Sequence, residues 1–149
     1  MKINELFYEE LFINNFESKN KKDALKSLSK ILEQKNFVNN SKDAFKGFLA
    51  REKQFSTGIG YGFAIPHIRI DAVKKPSILF AKADNGIEWK SMDKNKVNYI
   101  FMISIPMSAE AGNDHMAALG ELSRSFMKED FRNKVSEISN VNELKKLFE

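Results

Sequence analysis

Residues 97–105, VNYIFMISI, decide the architecture of this chain. From Ile100 onward the run is apolar on both faces of an extended backbone, so it predicts a central strand with both sides covered. Working outward, SILFAKA (77–83) and IEW (87–89) are further short apolar runs, and Asp84-Asn85-Gly86 between them reads as a turn. LFINN (11–15) is a short strand candidate near the start. The flanks change period. Ala24, Leu25, Leu28, Ile31 and Leu32 share one face of a helix over 20–36, with Ser18 or Asn20 as its cap. Ala44, Phe45, Phe48 and Leu49 mark a second helix over 41–53 behind Ser41. Met116, Leu119, Leu122 and Phe126 mark a third over 113–128, and shorter helices follow over 129–138 and 141–148, the last capped by Asn140. Helices, then strands, then helices predict an α/β fold with a mixed β-sheet sandwiched between helices.

The whole chain bounds what that fold can do. Its 149 residues suit one domain over 1–149, and 42% hydrophobic content with 13 Phe supports a packed core. Without Cys there are no disulfides, zinc thiolates or cysteine nucleophiles, which suits a reducing compartment. No run approaches the roughly 18 apolar residues of a membrane span, and MKINELFYEE does not read as a signal peptide, so a cytoplasmic protein is expected. The net charge of +4 comes from lysines scattered among acids, with no basic run flanked by stacking aromatics, which argues against nucleic-acid binding.

The chemistry concentrates in REKQFSTGIGYGFAIPH, residues 51–67. Gly58, Gly60 and Gly62 lie just before an apolar run closed by Pro66-His67. Alternate glycines can bring backbone N–H groups to an anion, yet the pattern lacks the Lys and spacing of a P-loop and does not open a helix. Pro66 restricts its own backbone and that of Ile65, so the chain reaches His67 stiffly and presents the imidazole. A neutral imidazole can attack phosphorus, and at pH 7 an unperturbed one is roughly three-quarters neutral. Such a site needs positioning and charge neutralisation more than pKa tuning. Arg51 is the candidate cation, with Thr57 and the backbone around Gly58 and Gly60 as neutral donors. His115, near the start of a helix, is a second candidate. Taken singly, each has a plainer reading: a turn, a surface histidine, a solvated arginine, a helix-start residue. A two-histidine metal site lacks companion ligands at metalloenzyme spacing. Trp89 and the Phe stripes read as core.

Together, RE-x3-STGIGYGFAIPH resembles the signature of enzyme IIA domains of the fructose/mannitol class, from bacterial sugar phosphotransferase systems, and HMAALGELSRSF resembles their later H-x3-L helix. The central stretch KKPSILFAKADNGIEWKSMDKNKVNYIFMISIP resembles the family's strands, so the similarity covers nearly the whole chain. The resemblance implies an α/β sandwich in which His67 accepts a phosphoryl group from phospho-HPr and passes it to an enzyme IIB domain, usually to a Cys there. Arg51 would lie beside the phosphoryl group and His115 would be the second active-site histidine. No cofactor or metal is implied, and contact with the membrane is indirect, through the IIBC permease. Partner docking implies an apolar rim, for which Phe55, Ile59, Tyr61 and Phe63 are the candidates. Tyr61 stands where many family members carry Asn, which bears on the pocket or the partner. Two other functions remain open: a nitrogen-type regulatory IIA protein whose phosphorylation state controls other proteins, and a binding module on the same fold that is never phosphorylated.

Overall fold

The 97–105 run lies in the middle of a six-stranded mixed sheet in the computed structural model of the protein. The structure describes residues 2–149, except the side chains of 109–112 and 114–116. After a 3₁₀ turn at Ile3–Leu6, the elements are β1 (Phe7–Ile13), α1 (Lys21–Gln34), α2 (Ser41–Gln54), β2 (Gly58–Gly60), β3 (Phe63–Ala64) and β4 (His67–Arg69). They continue with β5 (Ser77–Ile87), β6 (Val97–Ile105), α3 (Ala109–Phe126), α4 (Glu129–Glu137) and α5 (Val141–Lys146). The strand order is β1-β5-β6-β3-β2, with β4 also on β6. β1 runs parallel to β5, and β3 and β4 run parallel to β6; the β5/β6 and β2/β3 pairs are antiparallel.

Strand alternation sorts the side chains into two cores. Leu79, Ala81, Ile100 and Met102 face Leu25, Leu28, Leu32 and Phe48 of α1 and α2. Ile78, Phe80, Phe101 and Ile103 face Leu122, Phe126, Phe131, Val135 and Leu144 of α3, α4 and α5. Burying each such side chain contributes about 1.5–3 kcal/mol, which is why the central strand carries no solvent face. The mixed sheet between helices is therefore the predicted one.

Local details differ where tertiary contacts override short-range signals. Asp84-Asn85-Gly86 is not a turn: β5 runs through it to Ile87, and the β5/β6 ladder shifts register between Lys82 and Ile87. Gly86 takes φ 75°, so the residues that signal a hairpin are used in a bulge instead. The first strand lies at Phe7–Ile13 rather than 11–15; among the described residues it pairs only with β5, at the edge of the sheet, and its exposed Glu9 and Glu10 weaken its apolar pattern. Asn20 caps α1 by accepting from the Asp23 amide, and Asn40, not Ser41, caps α2 through the Lys42 and Asp43 amides. Asn140 caps α5 as expected. The third helix begins at Ala109, four residues before the expected start at 113. Among the described residues, no helix is long and apolar enough to cross a membrane.

Two features carry this framework to the 51–67 segment. β3 and β4 follow β6 in one continuous register, Phe63 opposite Tyr99 and Ala64 opposite Ile100, then His67 opposite Ile103. The break falls at Pro66, which has no N–H for the ladder, although its carbonyl still accepts from the Ile103 amide at 2.9 Å. On the other side, a Cβ at Gly47 would stand 3.0 Å from Ile68 Cγ2. Gly47 thus lets α2 lie close on β4, one turn before Arg51.

Candidate functional site

His67 opens β4 half-buried, and both of its ring nitrogens have polar partners. Nδ1 lies 2.8 Å from the Ile65 carbonyl, and Arg51 Nε donates to Nε2 at 3.1 Å. A carbonyl can only accept and a guanidinium can only donate. The proton therefore sits on Nδ1 and the lone pair on Nε2, one of the two neutral tautomers. Arg51 is held in turn by its Nη1, which donates to the Phe55 carbonyl at 2.9 Å. Burial, mainly, keeps the His67 pKa below the ordinary 6.5; the Ile65 hydrogen bond opposes this, Arg51 adds to it, and Glu52 works against it. At neutral pH the ring is therefore mainly uncharged.

His67 and Arg51 border an open cleft of about 410 Å³ between β4 and α3. Ile59, Ile65 and Leu119 form its apolar side, and Ser56, Thr57 and Ser123 its polar side. A second cleft of about 360 Å³ shares Arg51 and His67 and extends past Gln54 to Arg69. Arg69 donates to the Ser108 carbonyl at 2.8 Å, just ahead of α3.

The remaining expected site residues separate into those that reach the cleft and those that do not. Ile59 and Thr57 line it, but both donors of Thr57, its amide and its hydroxyl, engage Glu52. Thr57 therefore has neither donor turned to a ligand. The Gly58 amide donates to Ser56 Oγ at 3.1 Å, and a Cβ at Gly58 would lie 2.8 Å from Trp89 Cδ1, so this glycine serves close packing. Gly60 is buried in β2 with φ 103°, against Asp93. Phe55, at the end of α2, is 76% exposed. Phe63 is 1% exposed and does not belong to a rim: it is inside the core, 4.6 Å from the Phe126 ring and 4.9 Å from the Tyr99 ring. Strand parity turns it toward α3. Tyr61 is exposed but points elsewhere, with the Arg132 guanidinium 3.8 Å from its ring centroid and its amide donating to Asp93 at 2.9 Å. Its φ of 58° is a left-handed conformation that Asn tolerates better than Tyr. His115 lies in α3, and its side chain is outside the described residues.

Sequence reasoning missed Glu52. It is 5% exposed and accepts from Thr57 and from Trp89 Nε1 at 3.2 Å. The signal was present: Ala44, Phe48 and Glu52 recur every four residues, placing a carboxylate on the buried stripe of α2. Among the described residues, no group of three or more His, Cys, Asp or Glu is placed to hold a metal ion.

Fold and site thus define an α/β sandwich that presents an arginine-paired, neutral histidine at the sheet edge. The chain belongs to the family described as phosphoenolpyruvate-dependent sugar phosphotransferase system, EIIA 2, which it matches over residues 5–149. It is 44% identical over 94 residues to the fructose-specific EIIA component of Haloferax volcanii, covering 63% of this chain and 60% of that one. It is 34% identical over 137 residues to the fructose-specific EIIABC component of Bacillus subtilis, covering 92% of this chain and 21% of that protein. The chain thus spans less than two-thirds of the length of these two relatives. The nitrogen regulatory protein IIA-Ntr of Neisseria meningitidis superposes with a TM-score of 0.87 at 26% identity, covering 99% of each chain.

Proposed function

We propose that the protein, as one EIIA domain over 1–149, is a phosphocarrier that accepts a phosphoryl group from phospho-HPr on His67 Nε2 and passes it to an enzyme IIB domain for sugar uptake. The arrangement that carries this reading is Ile65 O···H–Nδ1 on one side of the imidazole and Arg51 Nε–H···Nε2 on the other. The Nε2 lone pair forms the new N–P bond while the donor's N–P bond breaks, its electron pair returning to the donor imidazole. The His67 Nδ1 proton stays in place, so the Ile65 bond becomes charge-assisted as the ring gains positive character. Arg51 then moves its donors from Nε2 to the phosphoryl oxygens. In discharge the IIB side chain forms the new bond to phosphorus while the His67 Nε2–P bond breaks, its electron pair returning to Nε2. His115 assists the onward step, Phe55 and Ile59 contribute to docking, and the protein works in the cytoplasm beside a IIBC permease.

The nitrogen-type regulatory reading shares every step up to loading and is favoured by the fold match to IIA-Ntr over 99% of both chains. The two part at the acceptor. Intact mass after incubation with phosphoenolpyruvate, enzyme I and HPr, before and after mild acid, tests the shared step. One acid-labile phosphoryl adduct is expected; no adduct with HPr shown to be charged would leave the binding-module reading. If the adduct forms, adding a IIB domain separates transport from regulation.

The pH dependence has a definite sign. His67 reacts neutral and its pKa lies below 6.5, so loading should be flat through neutral pH and fall only under 6.5. Because the folded pKa is the depressed one, the unfolded chain binds the extra proton first. The stability linked to His67 is present above 6.5 and is lost as pH falls through the folded pKa. A loading midpoint above 6.5, measured by quenched-flow mass spectrometry, would contradict a buried, arginine-paired ring.

A further inference from the structure

The buried carboxylate behind the cleft is used by none of the steps above. Glu52 Oε1 accepts from the Thr57 amide, the Thr57 hydroxyl and Trp89 Nε1, and Oε2 accepts from the Thr57 amide. Lys21 Nζ, at the first residue of α1, lies 3.7 Å from Oε2 and brings a positive charge to it. The Glu52 side chain is 1% exposed and that of Lys21 22%. A carboxylate so enclosed is an unusual way to tie down a loop, because a charge taken out of water is tolerated only where good partners surround it. Its neighbours in the chain and in space are the parts of the site: Arg51 precedes it, and Thr57 lines the His67 cleft.

Resting on the phosphocarrier reading, we propose that Glu52 is a positioning residue for phosphoryl transfer, a buried carboxylate that ties the 55–58 loop to the end of α2 and keeps the phosphorylated state of His67 readily discharged. A phosphoryl group brings about two negative charges. Arg51 attracts them and Glu52 repels them through a poorly screened interior, so the loaded state is held without becoming a sink. A carrier must both receive and release, and this opposition supplies the second half. Lys21 partly neutralises the carboxylate and so sets the strength of the effect. The same field already acts on the unphosphorylated ring, where Glu52 favours the protonated form.

Two variants of opposite sign test this. Glu52→Gln keeps the shape and removes the charge; Lys21→Met keeps Glu52 and unmasks it. NMR titration of the unphosphorylated ring should show the His67 midpoint falling in Glu52→Gln and rising in Lys21→Met. At a fixed ratio of phospho-HPr to HPr, intact mass should show the equilibrium moving toward loaded protein by roughly threefold to tenfold in the first variant and away from it in the second. A merely structural role would slow both variants alike and leave the titration unmoved, and that result would overturn the proposal. If Glu52→Gln does not fold, the sign of the Lys21→Met shifts decides alone. If the wild-type protein takes no phosphoryl group, the carrier reading fails and this role with it. Normal wild-type loading with unshifted titrations overturns the role of Glu52 alone.

Discussion

Replacing His67 with alanine should abolish the acid-labile adduct, and replacing Arg51 with alanine should slow loading by roughly 10²-fold while His67 remains. The first effect is total because the Nε2 lone pair has no substitute: α3 carries the other histidine of the chain, and Nε2 of His67 is the nitrogen that Arg51 addresses. The second is large because Arg51 acts twice. Its Nε orients Nε2, and its Nη1 holds the Phe55 carbonyl, so the alanine variant loses both the transition-state charge and the set of the loop. The guanidinium also lowers the His67 pKa, so the residual activity of Arg51→Ala should begin to fall at a higher pH than that of the wild type. Arg51→Lys should recover charge without the two-point geometry and rescue loading only in part. Single-turnover loading followed by mass spectrometry reads all three variants. Undiminished loading in Arg51→Ala would mean that the guanidinium is a structural tie alone.

Phe63→Ala should cost about 3–5 kcal/mol of stability, a far larger penalty than Phe55→Ala, which removes an exposed ring. Phe63 is 1% exposed and lies among the rings of Tyr99, Phe101 and Phe126, so truncation opens a cavity between β3, β6 and α3. For a chain of this length the loss corresponds to a fall in Tm of about 6–20 °C by thermal denaturation. The reciprocal variant makes the contrast sharp: Phe55→Ala should leave Tm nearly unchanged and weaken transfer from HPr. A Phe63→Ala protein with the wild-type Tm would place that ring at the surface after all.

Neighbouring residues of one motif show how unevenly a sequence speaks. The apolar run at 97–105 declared a central strand because its character comes from burial on both faces, and local composition records burial directly. The stripes of α1 and α2 were legible for the same reason. Asp84-Asn85-Gly86 misled because turn residues report a backbone conformation, and a bulge inside β5 needs the same left-handed glycine as a turn. Phe55, Ile59, Tyr61 and Phe63 look alike in sequence. An exposed helix end, the cleft wall, a stack under Arg132 and the aromatic core separate them, and nothing within four residues distinguishes those fates.

By itself, the sequence determined the sandwich, the family resemblance, and His67 with Arg51 as the residues to watch, since periodicity and a long motif are local properties of the chain. Only the tertiary structure decided which imidazole nitrogen carries the lone pair, that Thr57 has its donors engaged, and that Glu52 is buried behind the cleft. Those depend on which donor meets which acceptor across α2, the glycine-rich segment and β4, and hydrogen bonds between groups 5 to 37 residues apart along the chain exist only once the chain has folded.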